Sequence, residues 1–203
     1  MANPTFTREQ ALQYLQAAQI ADAVTWLGFR ASGSKYGEYD DTLALFTPDS
    51  YTEFKGNTLP SKWGGDIAKL LPGTYKYSQG LHGRHHLNGM GSAERVRILD
   101  WLQTHKGQDY PQPNPKAQRI LPYWAFVQSG PVTVLRHLQT VPETITDPAK
   151  YPMINLHSGG WKGTSSLGCQ TFYPDHWLEA RAKGYKAMDD HNQHIILYHL
   201  VEL

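Results

Sequence analysis

The stretch Met153-Ile-Asn-Leu-His157-Ser-Gly-Gly-Trp-Lys-Gly-Thr-Ser-Ser166-Leu-Gly-Cys169-Gln-Thr holds the only cysteine of the chain. It reads as a strand, a glycine-rich loop and the start of a second element. Met153 to Leu156 form a short apolar run, which predicts a strand that presents His157 at its end. The glycines at 159, 160 and 163 predict a tight return, because only glycine enters positive φ without steric cost. The chain comes back through Ser166 and Gly168 to Cys169, twelve positions after the histidine. This folding-back predicts that thiol and imidazole meet, a pairing in which the base raises the thiolate fraction of the cysteine. Taken singly, each residue has a plainer reading. A lone cysteine is a small buried hydrophobe, and a lone histidine a satisfied core or surface residue. The flanking Ser158, Thr164, Ser165 and Ser166 add hydroxyls suited to orienting an imidazole or binding substrate.

Outward from this stretch, the pattern is of strands with a few helices. Thr7 and Gln10 have capping-box spacing and open a helix that runs to about Ala21. Val24 to Arg30 and Thr42 to Phe46 read as strands, and Tyr51 to Lys55 returns as a hairpin partner after the turn Thr47-Pro-Asp-Ser50. Pro72-Gly73 turns into a strand over Thr74 to Tyr77. Ser92 is placed to cap a helix to Gln103, with Val96, Leu99 and Leu102 at helical spacing. Lys106 to Lys116, with Pro111, Pro113 and Pro115, reads as a surface excursion rather than a domain boundary. Trp124 to Val127 and Val132 to Leu138 flank the turn Ser129-Gly130. Tyr173 to Lys183 is expected to be a helix, with Pro174 early where a missing N–H costs least, and His194 to Val201 a closing strand. The expected fold is a β-rich α+β domain with peripheral helices, a single unit over residues 1–203.

Composition narrows the function classes. A net charge of +1 gives no electrostatic case for nucleic acid, which calls for a clustered basic face. One cysteine excludes an intramolecular disulfide framework. No apolar run approaches the roughly 18 residues of a membrane span, so stable membrane insertion is not expected. The 12 Tyr and 6 Trp fit either a peptide or carbohydrate cleft or simply an aromatic β-sheet core.

His157-Ser158 followed by Ser166-Leu-Gly-Cys169 resembles the signature of the L,D-transpeptidase catalytic domain, whose cysteine enzymes remodel peptidoglycan cross-links. The resemblance covers about the last fifty residues. It implies a β-sandwich or barrel, with Cys169 as nucleophile and His157 as general base. Ser158 would orient the imidazole through its backbone carbonyl. Gly168 and Cys169 would lend N–H groups to an oxyanion hole, and no cofactor or metal would be needed. The loop is shorter than in that family, Leu167 stands where its Ser-His-Gly-Cys element has histidine, and Gln170-Thr171 replaces the usual Arg or Asn. Asn57-Thr-Leu-Pro-Ser61, Leu71-Pro-Gly-Thr-Tyr75 and Gly80-Leu-His-Gly83 are similar to uncharacterised phage and prophage proteins, a resemblance that spans most of the chain. Together these imply peptidoglycan stem peptides as partners and lysis as a setting. No basic, then apolar leader follows Met1, so the expectation is synthesis in the cytoplasm and action at the periplasm or cell wall, reached by another route.

Other residues compete for a role. His82, between glycines, is expected at the cleft edge as a substrate-binding or oxyanion-binding group. Ser166, Trp161 and Arg136 complete the expected substrate-binding set, Arg136 because arginine in a strand-like run suits carboxylate binding or an ion pair. The same two alternatives stand for Arg30. His82, His85 and His86 open a zinc-peptidase alternative, although the spacing fits no zinc signature. Asp40-Asp41 read as a turn or edge feature, since adjacent strand residues face opposite sides. Leu167 and the short loop keep open a non-catalytic wall-binding or virion component built on a degenerate enzyme fold.

Overall fold

A computed structural model describes residues 3–65, 67–111, 121–147 and 153–203. Helix α1 (Arg8–Ala17) starts at Thr7, whose hydroxyl accepts from Gln10 N while the Thr7 N–H donates to the Gln10 side chain. It buries Ala11 and Leu15 against Leu27, Phe29, Ala44 and Phe46, and stops short of Ala21 because Gln19 turns to φ 60°. The strands are β1 (Thr25–Arg30), β2 (Asp41–Phe46), β3 (Tyr51–Asn57), β4 (Ala68–Leu70), β5 (Gly73–His82), β6 (Tyr123–Gln128), β7 (Val132–Arg136), β8 (Glu143–Ile145), β9 (Leu156–Ser158), β10 (Gln170–Phe172) and β11 (Ile196–Glu202). Helix α2 (Ser92–Thr104) follows a short 3₁₀ turn at Arg84–Leu87, and α3 (Pro174–Asp190) precedes β11.

Eight strands close into a barrel in the order β1-β11-β5-β6-β9-β10-β3-β2, which removes free sheet edges. Two neighbouring pairs, β1 with β11 and β9 with β10, run parallel, and the rest are antiparallel. A separate three-stranded sheet has the order β4-β7-β8. The main core gathers Trp26, Leu43, Phe54, Tyr77, Phe126, Leu156, Phe172 and Tyr198 with Trp177, Ala180 and Met188 of α3. The architecture is α+β, with a large mixed sheet and three helices among the described residues. None of those helices is long and apolar enough to cross a membrane.

Several boundaries differ from the sequence reading, each for a physical reason. Gly91, not Ser92, occupies the N-cap of α2, and no side chain caps it. Helix α3 continues past Lys183 because a Cβ at Gly184 would meet the Phe126 ring at 2.5 Å, so glycine there is a packing residue. Strand β7 ends at Arg136, and Leu138 is exposed with φ 69°. The run from Met153 becomes strand only at Leu156. Strands β4, β8 and β10 are three residues long, too short for alternation to reveal them. Pro113 and Pro115 of the expected surface excursion lie outside the described residues.

Candidate active site

The register of β9 and β10 brings the two ends of the glycine-rich stretch together. Leu156 pairs with Gln170 and His157 with Thr171, so Cys169 lies across from Asn155. Gln170 N donates to Asn155 O, and Asn155 N donates to Cys169 Sγ at 3.3 Å. The thiol in turn donates to Met153 O at 3.3 Å. The loop between the strands closes on itself through Gly160 N and Gly163 O at 3.0 Å. Of the three glycines expected to supply positive φ, only Gly163 does so, at 155°. Gly159 is required by close approach instead, since a Cβ there would stand 1.9 Å from the Tyr39 hydroxyl oxygen.

The Ser166-Leu-Gly-Cys169 turn is held from within. Ser166 Oγ donates to Cys169 O at 2.7 Å and accepts from Gly168 N at 3.0 Å, while Ser166 N donates to Ser61 Oγ. Two expectations change here. Ser166, at the cavity wall, spends its hydroxyl on the turn rather than on substrate, and the Gly168 N–H is not available to an oxyanion. Gly168 itself is needed for its φ of 154° and because a Cβ would sit 2.6 Å from Ala68 O.

His157 has a defined tautomer. Its Nδ1 lies 2.6 Å from Ser158 O, and a carbonyl has no proton to give, so Nδ1 carries the hydrogen. The second contact of Nδ1, 3.1 Å to the Tyr123 hydroxyl, is then one in which the hydroxyl oxygen accepts. Nε2 keeps its lone pair and makes no hydrogen bond among the described residues. The His82 ring stacks on His157, with centroids 4.1 Å apart and planes 16° apart. His82 and Tyr123 are cross-strand partners of β5 and β6 and share a face. Asn155 completes the group. Its Oδ1 accepts from Gln128 N at 2.9 Å, which fixes its amide so that Nδ2 donates to His82 Nδ1 at 3.0 Å. His82 is thus neutral with its hydrogen on Nε2.

Burial sets the protonation states. It pulls His157 down to about 4, opposed in part by the Ser158 carbonyl. It pulls His82 down to about 2, helped by the neighbouring His157, His85 and His86. Burial also pushes the Cys169 thiol up to about 11, against the stabilising N–H groups of Asn155 and of Cys169 itself. At neutral pH the resting pair is therefore a neutral thiol and a neutral imidazole. No hydrogen bond joins them among the described residues, although both face one cavity.

That cavity has a volume of about 1030 Å³ and is lined by His82, Tyr123, Asn155, His157, Ser158, Ser166, Leu167 and Cys169, with Arg84, His85 and His86 at the 3₁₀ turn. Trp161, 68% exposed, lines a second depression of about 670 Å³ with Ser61, Lys162 and Ser165. Arg136 lines neither; it pairs with Glu143 in the three-stranded sheet, where the ion-pair alternative accounts for it. Among the described residues no three His, Cys, Asp or Glu side chains are placed to hold a metal ion, and His82 spends Nδ1 on Asn155. Sequence reasoning missed Tyr123 and Asn155. Asn155 was within reach, as it precedes His157 by two residues, whereas nothing in the sequence linked Tyr123 to them. Comparison with known proteins finds no family model, no curated protein and no solved structure that matches this chain.

Proposed function

We propose that the protein is a cysteine-dependent peptidoglycan-modifying enzyme of L,D-transpeptidase type that acts on stem peptides. The observation that carries the reading is His157, held at Nδ1 by the Ser158 carbonyl with Nε2 free, in one cavity with the only thiol of the chain. A backbone carbonyl as the orienting group is what the resemblance to that family implies for Ser158. The eight-stranded mixed barrel is compatible with a sandwich or barrel of that type. A cavity of about 1030 Å³ has room for a peptide segment of a few residues.

In this reading His157 Nε2 takes the Cys169 proton as Sγ attacks an amide carbonyl next to a D-centre. Because the resting pair is neutral, proton transfer accompanies attack rather than preceding it. The carbonyl π pair moves to oxygen and then returns, expelling the amine, which leaves with the proton held on Nε2. The thioester is resolved by water, in a carboxypeptidase or endopeptidase outcome, or by an amine, in transpeptidation. Wall degradation or modification during phage lysis is the setting we propose.

A second reading, a non-catalytic wall-binding or virion component, draws on one feature. The thiol rests in a hydrogen bond to Met153 O, and burial holds it in its protonated form. Incubation with purified muropeptides and mass analysis separates the two. The enzyme reading expects loss of a terminal D-residue, cross-link cleavage or D-amino-acid exchange, abolished by Cys169→Ala. Sedimentation with cell walls and no product from the native protein favours the second reading.

A further inference from the structure

A cysteine acyl transfer needs hydrogen-bond donors for the oxyanion, and this site lacks one that the Ser166-to-Cys169 turn was expected to provide. The Gly168 N–H is spent on Ser166 Oγ at 3.0 Å, and Leu167 has no polar side chain. A side chain can take the place of the lost donor, and the tautomer of His157 identifies one. With Nδ1–H directed at Ser158 O, the Tyr123 oxygen accepts in its 3.1 Å contact with Nδ1, and its own hydrogen is left over. That hydroxyl makes no other hydrogen bond among the described residues, and Tyr123 lines the cavity with Cys169.

We propose that the Tyr123 hydroxyl is the side-chain oxyanion donor of this site, a catalytic role that rests on the cysteine acyl-transfer reading above. Attack of Sγ on the carbonyl carbon moves the C=O π pair to oxygen, and Tyr123 O–H donates a hydrogen bond to that oxygen while keeping its proton. The thiol proton goes to His157 Nε2 and from there to the leaving group. When the tetrahedral intermediate collapses, the electron pair returns to the carbonyl and the hydroxyl is unchanged. Tyr123 suits this use, because burial raises its pKa and keeps it protonated. His82 Nε2–H is the rival donor. His82 lies flat against His157 with Nδ1 held by Asn155, whereas the Tyr123 hydroxyl reaches Nδ1 of the base itself and keeps its hydrogen.

The test compares two reactions of the same thiol. Acylation by p-nitrophenyl acetate builds an oxyanion, whereas alkylation by iodoacetamide is a displacement at carbon that builds none. Rates are taken for the native protein, Tyr123→Phe and, as background, Cys169→Ala. Tyr123→Phe is expected to slow acylation of Cys169 by roughly 10²–10³-fold, the usual cost of one oxyanion donor, with the alkylation rate unchanged. Equal slowing of both reactions would overturn the proposal and make Tyr123 a positioning residue for His157. Unchanged acylation would overturn it while leaving the cysteine mechanism in place. No Cys169-dependent acylation in the native protein would remove the acyl-transfer reading itself, and this assignment with it.

Discussion

Arg30 and Asp41 are as deeply buried as His157 and Cys169, yet the two polar clusters are completed differently. Arg30 donates from Nε to Thr58 Oγ1 at 3.0 Å and from Nη2 to Thr58 O and Leu70 O at 2.8 and 2.9 Å, and Nη1 reaches Glu202 at 3.5 Å. Asp41 accepts from Ala31 N, Thr58 N, Thr58 Oγ1 and Ser34 Oγ, so both its oxygens are used twice. In the His82–His157–Cys169 corner the count stops short. His157 Nε2 and the Tyr123 hydrogen have no partner among the described residues, and the buried Thr171 hydroxyl, in register with His157, is also without one. Buried polar groups are ordinarily satisfied, because leaving one unpaired costs about 1–3 kcal/mol. A saturated cluster is structure. An unsaturated one that faces a cavity has capacity left for a substrate.

Cys169→Ala tests this contrast with the largest expected effect. On muropeptides the variant is expected to fall to background, a loss beyond the ~10³-fold range of a single supporting donor. Its unfolding midpoint in urea should correspond to a stability change within about 1–2 kcal/mol, because one sulfur is removed from a site already beside a cavity. Product formation by the variant would move the chemistry off the thiol. Asp41→Ala should do the reverse. It leaves Ala31 N, Ser34 Oγ, Thr58 N and Thr58 Oγ1 without their acceptor, and each buried donor left unpaired costs about 1–3 kcal/mol. Urea unfolding of the two variants side by side tests the distinction, and a loss below about 1 kcal/mol for Asp41→Ala would show that the Arg30 cluster is not the structural one.

Acid should act on the unsaturated corner through His82 and, over a narrower window, through His157. The folded pKa of His157, about 4, lies below its ordinary 6.5, so between those values the unfolded chain binds a proton that the folded chain refuses. Stability therefore rises with pH across that window and is lost as pH falls from about 7 to 4, by up to about 3 kcal/mol from this group. Above neutrality the sign is set by Cys169, whose folded pKa of about 11 lies above 9.0. There the unfolded chain loses its proton first, and stability falls as pH rises through that range. Denaturation midpoints at a series of pH values check both limbs. His157→Gln should make the acid limb shallower between about pH 7 and 4 and leave the His82 contribution, and an unchanged slope in that variant would assign the limb to other groups.

How much of this corner was legible depends on distance along the chain. Cys169 and His157 could be brought together from sequence because one glycine-rich loop joins them, and the parallel register of β9 and β10 realises that return. The long strands and the Thr7 cap were legible because alternation and capping are local signals. Tyr123 was not, because it reaches His157 from β6, which pairs with β9 at Phe126 and Leu156 only. No periodicity encodes which strands of a barrel become neighbours. Arg136 misled for a related reason, since a strand arginine reads alike whether it meets a ligand or, as here, Glu143 on the adjacent strand. Ser166 and Gly168 were found as residues but not in their roles, because a hydroxyl bound to its own turn looks the same in sequence as one aimed at substrate.

The smallest effect expected in this corner belongs to His82, and it tests how far the support around His157 extends. His82 lies flat against His157 and accepts from Asn155 Nδ2, and the backbone N–H of the same asparagine holds the Cys169 sulfur. His82→Phe keeps a ring for the stack and removes only the acceptor. Asn155 remains anchored through Oδ1 to Gln128 N, so its backbone should shift little. We expect kcat to fall about tenfold, which is about 1.4 kcal/mol, with KM nearly unchanged, because His82 acts on the catalytic pair rather than on the whole peptide. His82→Ala should cost more, since it removes the stack as well. Steady-state kinetics on the muropeptide that the native protein turns over decides the matter. A fall of 10²–10³ in His82→Phe, with acylation in Tyr123→Phe unaffected, would make His82 Nε2–H the oxyanion donor. The unspent hydrogen that matters would then be on the imidazole rather than on the tyrosine.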